Sequence, residues 1–538
     1  MKYLISKIGA GVLSTLLCAT VADTFSQSAK VPVQKTLVQI QIPAKKTVID
    51  PMIYGQMLEN VNDSMIYGGV TNGKGEENLH ITELLKPLDI PVMRWPAGTA
   101  MHEYRWKNGI GPKPLRPVSP TFAWKGVENY QFGTDEFLQW CKRINTVPYI
   151  NLNMGNSIEY GGTLWEALEW IEYVNGDSTT ALGKQRAYNG HSKPYNVKYW
   201  CIGNENYGPW GRHEKEDDTT YGNRLKIWAG AIKKQHPELS LLGIGRSLKW
   251  NKEVLSRNGE YIDFLTQHYY VNSKLKDGVL ESPGSTLFAP AKMEKHLSLL
   301  GEQLNEINRQ LNRTENPIRL SVDEWNNRHA IFNGTEFKFT RQSVRKQFDV
   351  AVTAGMLNAF IRQSPAVGMA NYIFPVNAHG LIRTVGTDDA YLTPLYYLFK
   401  QYRTKMLGSK LDVLVKGPGI RGSEVKGNIA GDANEIKLGE EFLSFVDAAA
   451  VLDQKGQIFV TLVNRSHELK QEVEIAIPAG YKAREIWELN HANIYAMNTS
   501  ENRSEILPKT GILKQKGSKV TVSLLPCAFA MIELVKQP

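Results

Sequence analysis

Cysteine is scarce in this chain: 538 residues contain four, at positions 18, 141, 201 and 527. So few thiols, so widely spaced, build no disulfide framework, and no Cys/His spacing suits a zinc site. Long apolar runs are missing after the first residues, which excludes a transmembrane helix there. Lysine and arginine exceed aspartate and glutamate by 63 to 54, a formal charge of +9. No basic block carries interleaved aromatics, so the excess reads as solvated surface and not as a nucleic-acid groove. It stays compatible with an acidic polysaccharide partner. Internal repeats and low-complexity linkers are also absent.

What is present is ordinary globular composition, 42% hydrophobic and 22% charged, in a chain long enough for two domains. Twelve Trp and 23 Tyr suit a cleft that stacks ring-shaped ligands, alongside ordinary core packing. Lys2 and Lys7 precede an apolar run from Ile8 to Ala22, with small residues at Thr20 and Ala22. This reads as a secretory signal peptide cleaved near Ala22, giving an exported (periplasmic or secreted) protein. Cys18 follows Leu17, where a lipoprotein signal would place a small residue, which disfavours lipid anchoring without deciding it. Cleavage would leave Cys141, Cys201 and Cys527.

From Met52 onward, buried strands alternate with amphipathic helices. Barrel strands are predicted at Met52–Leu58, Pro91–Trp95, Pro148–Met154, Val197–Asn204, Leu241–Gly245, Ile262–Tyr269, Ile318–Glu324 and Ala366–Phe374. Helical spacing covers Asp135–Ile144, Leu164–Val174, Thr219–Gln235, Met293–Leu311, Ser343–Ile361 and Pro394–Tyr402. Eight strands alternating with helices predict an α/β fold, a (β/α)8 TIM barrel. Beyond Leu407 the helical pattern stops. Short strands at Gln457–Val463, Glu472–Ile477, Ala483–Leu489, Val520–Leu525 and Phe529–Val535 predict a C-terminal antiparallel β-sandwich. The alternating run Leu37–Ile42 precedes the barrel and is expected to join that sandwich. The expected organisation is a signal peptide over 1–22, an N-terminal strand within 31–50, a barrel over 51–406 and a sandwich over 407–538.

Two of the predicted barrel strands end in a glutamate. Val197–Ile202 runs into Gly203-Asn204-Glu205-Asn206, and Pro317–Val322 runs into Asp323-Glu324-Trp325-Asn326. Barrel strands deliver their chemistry at the C-terminal mouth. Hydrolysis of a glycosidic bond needs an acid for the leaving oxygen and a carboxylate on the other face of the sugar. One Asn-Glu after a strand could equally be a loop carboxylate that caps the next helix. A second strand-end glutamate in the same barrel argues against that.

With these blocks, Arg94-Trp95-Pro96-Ala97-Gly98 and Trp106-Lys107-Asn108-Gly109-Ile110-Gly111-Pro112 complete a pattern that resembles glycoside hydrolase family 51. The resemblance runs from about Met52 to the C-terminus and is strongest in the barrel. It implies a retaining α-L-arabinofuranosidase with Glu205 as general acid/base and Glu324 as nucleophile. It also implies an arabinose-containing polysaccharide or oligosaccharide as partner, and a homo-oligomer. No metal or organic cofactor is implied, since two carboxylates suffice. By the same resemblance Glu59 and Asn204 contact the sugar, and His268 and Tyr270 flank the nucleophile. Arg94 orients Glu324, with a buried structural ion pair as its other reading. Thr99, Trp325 and Trp210 complete the substrate-binding set. Trp210 and Trp106 could stack on neighbouring sugars or simply anchor loops and core.

Two departures bear on specificity. The family usually carries Gly-Gly-Asn after Arg-aromatic-Pro, and that Asn touches the sugar; here the run is Ala97-Gly98-Thr99. A further aromatic commonly follows Asp-Glu-Trp-Asn, where this chain has Asn327-Arg328-His329. Catalysis can survive both changes while sugar preference drifts. The rival readings are therefore a related barrel glycosidase, β-xylosidase or endo-glucanase, and a carbohydrate-binding protein without turnover.

Overall fold

The structure is a computed structural model that describes residues 34–61 and 64–537. The signal-peptide reading at 1–22, with Cys18, lies outside the described residues. Eight parallel strands close into a barrel: Gly55–Met57, Val92–Trp95, Val147–Leu152, Tyr199–Ile202, Ser240–Gly243, Phe264–Lys276, Arg319–Phe332 and Val367–Tyr372. Each pairs with its neighbours in chain order except at one place. The eighth strand pairs with the seventh and then with the first, and the sixth–seventh pair completes the ring. All eight fall where alternating buried runs predict them. Strand four, Tyr199-Trp200-Cys201-Ile202, is buried throughout. Such a strand sits between barrel interior and helical shell and cannot show polar alternation.

Helices fall on the predicted runs, and three more, Leu79–Leu85, Ala181–Tyr188 and Leu248–Asn258, form where none was expected. The helix expected from Met293 begins at Pro283 and runs to Gln310 with Pro290 inside it. An internal proline reads as a helix break in sequence. Here Pro290 is buried against Gly355 of the helix Gln347–Arg362, where an added Cβ would lie 3.2 Å from its ring. Tight helix–helix packing keeps the helix going.

Strands six and seven overshoot the barrel. His268–Leu275 pairs with Glu324–Ile331 as a ribbon above the C-terminal mouth. The seventh strand then turns back through Phe337–Thr340.

The C-terminal residues form the predicted sandwich. The strand Ser409–Lys416 is shared by its two sheets, pairing with Val446–Leu452 at one end and with Gln34–Gln41 at the other. Gln34–Gln41 turns Val38 and Ile40 into the sandwich core. It also pairs with Gln471–Ala476 in parallel, the one departure from an antiparallel sandwich that bears on its assembly. Between Gly419–Arg421 and Phe442–Ser444 the chain leaves the sandwich and reaches the barrel. There Ala430 N–H donates to the Tyr270 carbonyl at 2.8 Å, so a sandwich excursion walls part of the barrel mouth.

Candidate active site

At the end of strand four the backbone turns sharply. Gly203 takes φ +98°, and a Cβ there would meet Asn206 Oδ1 at 2.3 Å. Only glycine fits. Asn206 is wholly buried, accepts from Asn204 N–H at 3.1 Å and donates to Glu216 at 2.9 Å. It is a scaffold that sets its two neighbours. Glu205 itself holds φ +42°, a left-handed conformation that costs energy for a residue with a side chain. Two stacked neutral imidazoles support this turn from below. His102 Nε2 donates to the Asn204 carbonyl at 2.6 Å, and His213 Nε2 to that of Asn206 at 3.1 Å. Burial, with His213 beside it, takes the His102 pKa down to about 3.

On strand seven, Asp323 and Glu324 both face the barrel interior, although neighbours on a regular strand point to opposite faces. The pairing register shifts between Ser321 and Glu324, and this bulge re-aims one of the two side chains. Arg94, fully buried on strand two, gathers them. Its Nη1 donates to Glu324 Oε1 at 2.7 Å, its Nη2 to Asn204 Oδ1 at 2.7 Å, and its Nε lies 3.2 Å from Asp323 Oδ2. Burial opposes the Arg94 charge, but Asp323 and Glu324 more than offset it and hold its pKa well above the ordinary guanidinium value. Tyr270 donates to Glu324 Oε2. Gly98 admits the carboxylate, because a Cβ there would lie 2.6 Å from Glu324 Oε1.

His268 sits among three carboxylates. Its Nδ1 is 2.7 Å from Glu205 Oε1 and 3.4 Å from Glu324 Oε2, and its Nε2 is 3.3 Å from Asp323 Oδ1. Burial works against its charge, yet Glu324 and Glu205 raise its pKa to about 10. Burial likewise pushes the Glu205 carboxyl up, but the His268 charge and the hydrogen bonds from His268 and Tyr207 win and hold it below its ordinary value. Glu59 is pushed up to about 7, first by burial and then by the Glu324 charge. Trp124 Nε1 donates to Glu59 at 3.0 Å.

Glu205 and Glu324 offer carboxylate oxygens within 4.8 Å of each other, and His268 a ring nitrogen inside the same span. These would be the residues to hold a cation. Both ring nitrogens of His268, however, face carboxylates and serve as donors, leaving no lone pair for a metal.

A cleft of about 520 Å³ opens over this cluster. Glu59, Thr99, Glu205, Trp210, His268, Tyr270 and Glu324 all line it. Arg94 and Asn204 lie beneath, and Asn204 Nδ2 is a buried donor with no protein acceptor among the described residues. Trp325 corrects the expected set. Its ring is fully buried between strand and helices, 5.0 Å from Phe360 and 5.1 Å from Tyr372, because it alternates outward from the bulged pair before it. It binds core, not substrate. Trp106 is also core, stacked on Trp170. Sequence reasoning missed Tyr207, Trp124 and the charge role of Asp323. Only the Asp-Glu doublet gave any hint of the last.

Fold and cleft together define a barrel glycoside hydrolase. The comparisons with known proteins narrow this. Residues 84–285 match the family described as "Alpha-L-arabinofuranosidase 1 domain", and 323–527 the "Alpha-L-arabinofuranosidase C-terminal domain". A probable α-L-arabinofuranosidase C of Aspergillus flavus is 32% identical over 79% of this chain and 84% of its own. An intracellular exo-α-(1→5)-L-arabinofuranosidase of Bacillus subtilis is 25% identical over 91% and 97%. The arabinose complex of the Thermotoga maritima α-L-arabinofuranosidase superposes with a TM-score of 0.78 at 28% identity, covering 94% of this chain and all of that one. The chain belongs to the α-L-arabinofuranosidases of glycoside hydrolase family 51.

Proposed function

We propose that this enzyme removes α-L-arabinofuranosyl groups from plant polysaccharides or their oligosaccharides with retention of configuration, using Glu205 and Glu324. One observation carries this: the two carboxylates approach within 4.8 Å. An inverting pair stands about 6.5–9.5 Å apart to admit a water, and a retaining pair about 5–5.5 Å. Glu324, fixed by Arg94 and Tyr270, attacks the anomeric carbon. The C–O bond to the leaving group breaks, and the leaving oxygen takes a proton from Glu205. In the free enzyme that proton is shared with His268 across 2.7 Å, so the pair acts as one acid. Glu205 then removes a proton from the water that cleaves the glycosyl-enzyme, and Glu324 is released. Asn204 Nδ2, unpartnered among the described residues, is placed to donate to a sugar hydroxyl.

The leader at Lys2–Ala22 supports export, while the Bacillus subtilis relative is named as intracellular. Sequencing the N-terminus of the mature protein decides between them. A panel of 4-nitrophenyl glycosides, with NMR of the first-formed sugar, tests the activity. Turnover of the α-L-arabinofuranoside with retention is expected. Preference for a β-xyloside or a cello-oligosaccharide, or no turnover at all, would refute the reading.

A further inference from the structure

The ribbon above the barrel mouth carries a cation that the proposed chemistry leaves unused. Arg328 lines the cleft wall with its guanidinium between two rings, 4.6 Å from the Tyr270 centroid and 4.0 Å from that of Phe339. Its Nε donates to Asn272 Oδ1 at 2.8 Å. Among the described residues no carboxylate lies within 4.0 Å of it and neither Nη has an acceptor. Contact with two rings and the Asn272 hydrogen bond restrict the guanidinium and leave its Nη edge for hydrogen bonding. A planar fork matches a carboxylate through two parallel N–H···O bonds. A neutral hydroxyl would use one of them and leave a half-buried charge unmatched.

Placement sharpens the point. Tyr270 touches Glu324 through its hydroxyl and Arg328 through its ring face, so Arg328 stands one ring away from the reacting carboxylates. Arg341, beyond the return strand, lines the same wall 4.2 Å over Trp124. Glu59, Glu205 and Glu324 alone would repel an anionic substrate. The aromatic-clamped arginine supplies the opposite charge on the wall above them.

We infer that Arg328 forms a subsite for a carboxylate-bearing sugar, a hexuronate, next to the arabinofuranosyl group that is released. The inference rests on the arabinofuranosidase reading above. It turns the chain's departure from the family's usual aromatic at this position into a specificity for acidic glycans.

The test uses the full chain and a matched pair, an α-L-arabinofuranosyl hexuronate and its methyl ester, with 4-nitrophenyl α-L-arabinofuranoside as reference. A charge-assisted bidentate pair predicts about tenfold higher kcat/KM for the acid at low salt. That preference should shrink as salt rises. Arg328→Gln should collapse the acid-to-ester ratio towards one, and Arg328→Lys should retain part of it. Should Arg328→Gln fail to fold, the lysine variant and the wild-type salt dependence still decide. Three outcomes overturn the inference: no acid preference in the wild type, a ratio unmoved by Arg328→Gln, or equal loss on both substrates. The last would make Arg328 only a counter-charge for Glu205 and Glu324. Absence of nitrophenyl arabinofuranoside turnover in the wild type would overturn the activity reading and this inference together.

Discussion

Replacing His268 by glutamine should move the alkaline limb of activity downward. Three carboxylates hold the imidazole, with Nδ1 2.7 Å from Glu205 and 3.4 Å from Glu324 and Nε2 3.3 Å from Asp323. They raise its pKa from 6.5 to about 10. The Glu205–His268 pair therefore keeps its catalytic proton until about that pH. Without the imidazole, Glu205 must hold the proton alone. Burial raises its pKa, while Tyr207 and Arg94 still lower it, and neither supplies the second proton site that His268 provides. Each pH unit above the variant's limb costs about tenfold, so activity at mildly alkaline pH should fall in the variant while the wild type keeps it. The assay is kcat/KM against pH for an arabinofuranoside with an alcohol or sugar leaving group, because that ratio reports the free enzyme. A 2,4-dinitrophenyl arabinofuranoside is the control. Its leaving group departs unprotonated, so its limb should vanish in both proteins. A variant limb still near 10, or an equal limb for the activated substrate, would refute the shared-proton reasoning.

Glu205→Ala and Glu324→Ala should fail differently. Azide should restore turnover of an activated glycoside to the first, whose glycosyl-enzyme still forms and waits for a nucleophile, and not through a covalent intermediate in the second. A glycosyl azide of retained configuration from Glu324→Ala, with the inverted azide from Glu205→Ala, would reverse the assignment. Gly98→Ala places a Cβ 2.6 Å from Glu324 Oε1, so it should cut kcat by about 100-fold with little change in melting temperature; near-normal kcat would show that Glu324 has room to move. Thr99→Asn should raise activity on an arabinofuranoside by up to roughly tenfold, the worth of one hydrogen bond to a neutral hydroxyl. A fall there, with good turnover of another glycoside, would mean a site rebuilt for a different sugar.

The eight barrel strands were legible because each is a short apolar run bounded by turn signals, and burial on both faces writes that pattern directly into residue type. Glu205 and Glu324 were legible because each closes such a run. Residue order along the chain also made Asp323-Glu324-Trp325-Asn326 look like a single functional block, and the structure divides it. A bulge between Ser321 and Glu324 sends Asp323 and Glu324 into the barrel and Trp325 out to Phe360 and Tyr372. Register shifts of this kind depend on pairing with both neighbouring strands, which no single strand encodes. The hydrogen bond between Glu205 and His268, the Arg94 clamp across strands two, four and seven, and the wall at Ala430 donated by the sandwich were equally out of reach. Each joins residues far apart in the chain, and their energies arise only when burial removes water from between the charges. Sequence alone determined which residues could do the chemistry; tertiary structure decided which of them meet, at what distance and in what charge state.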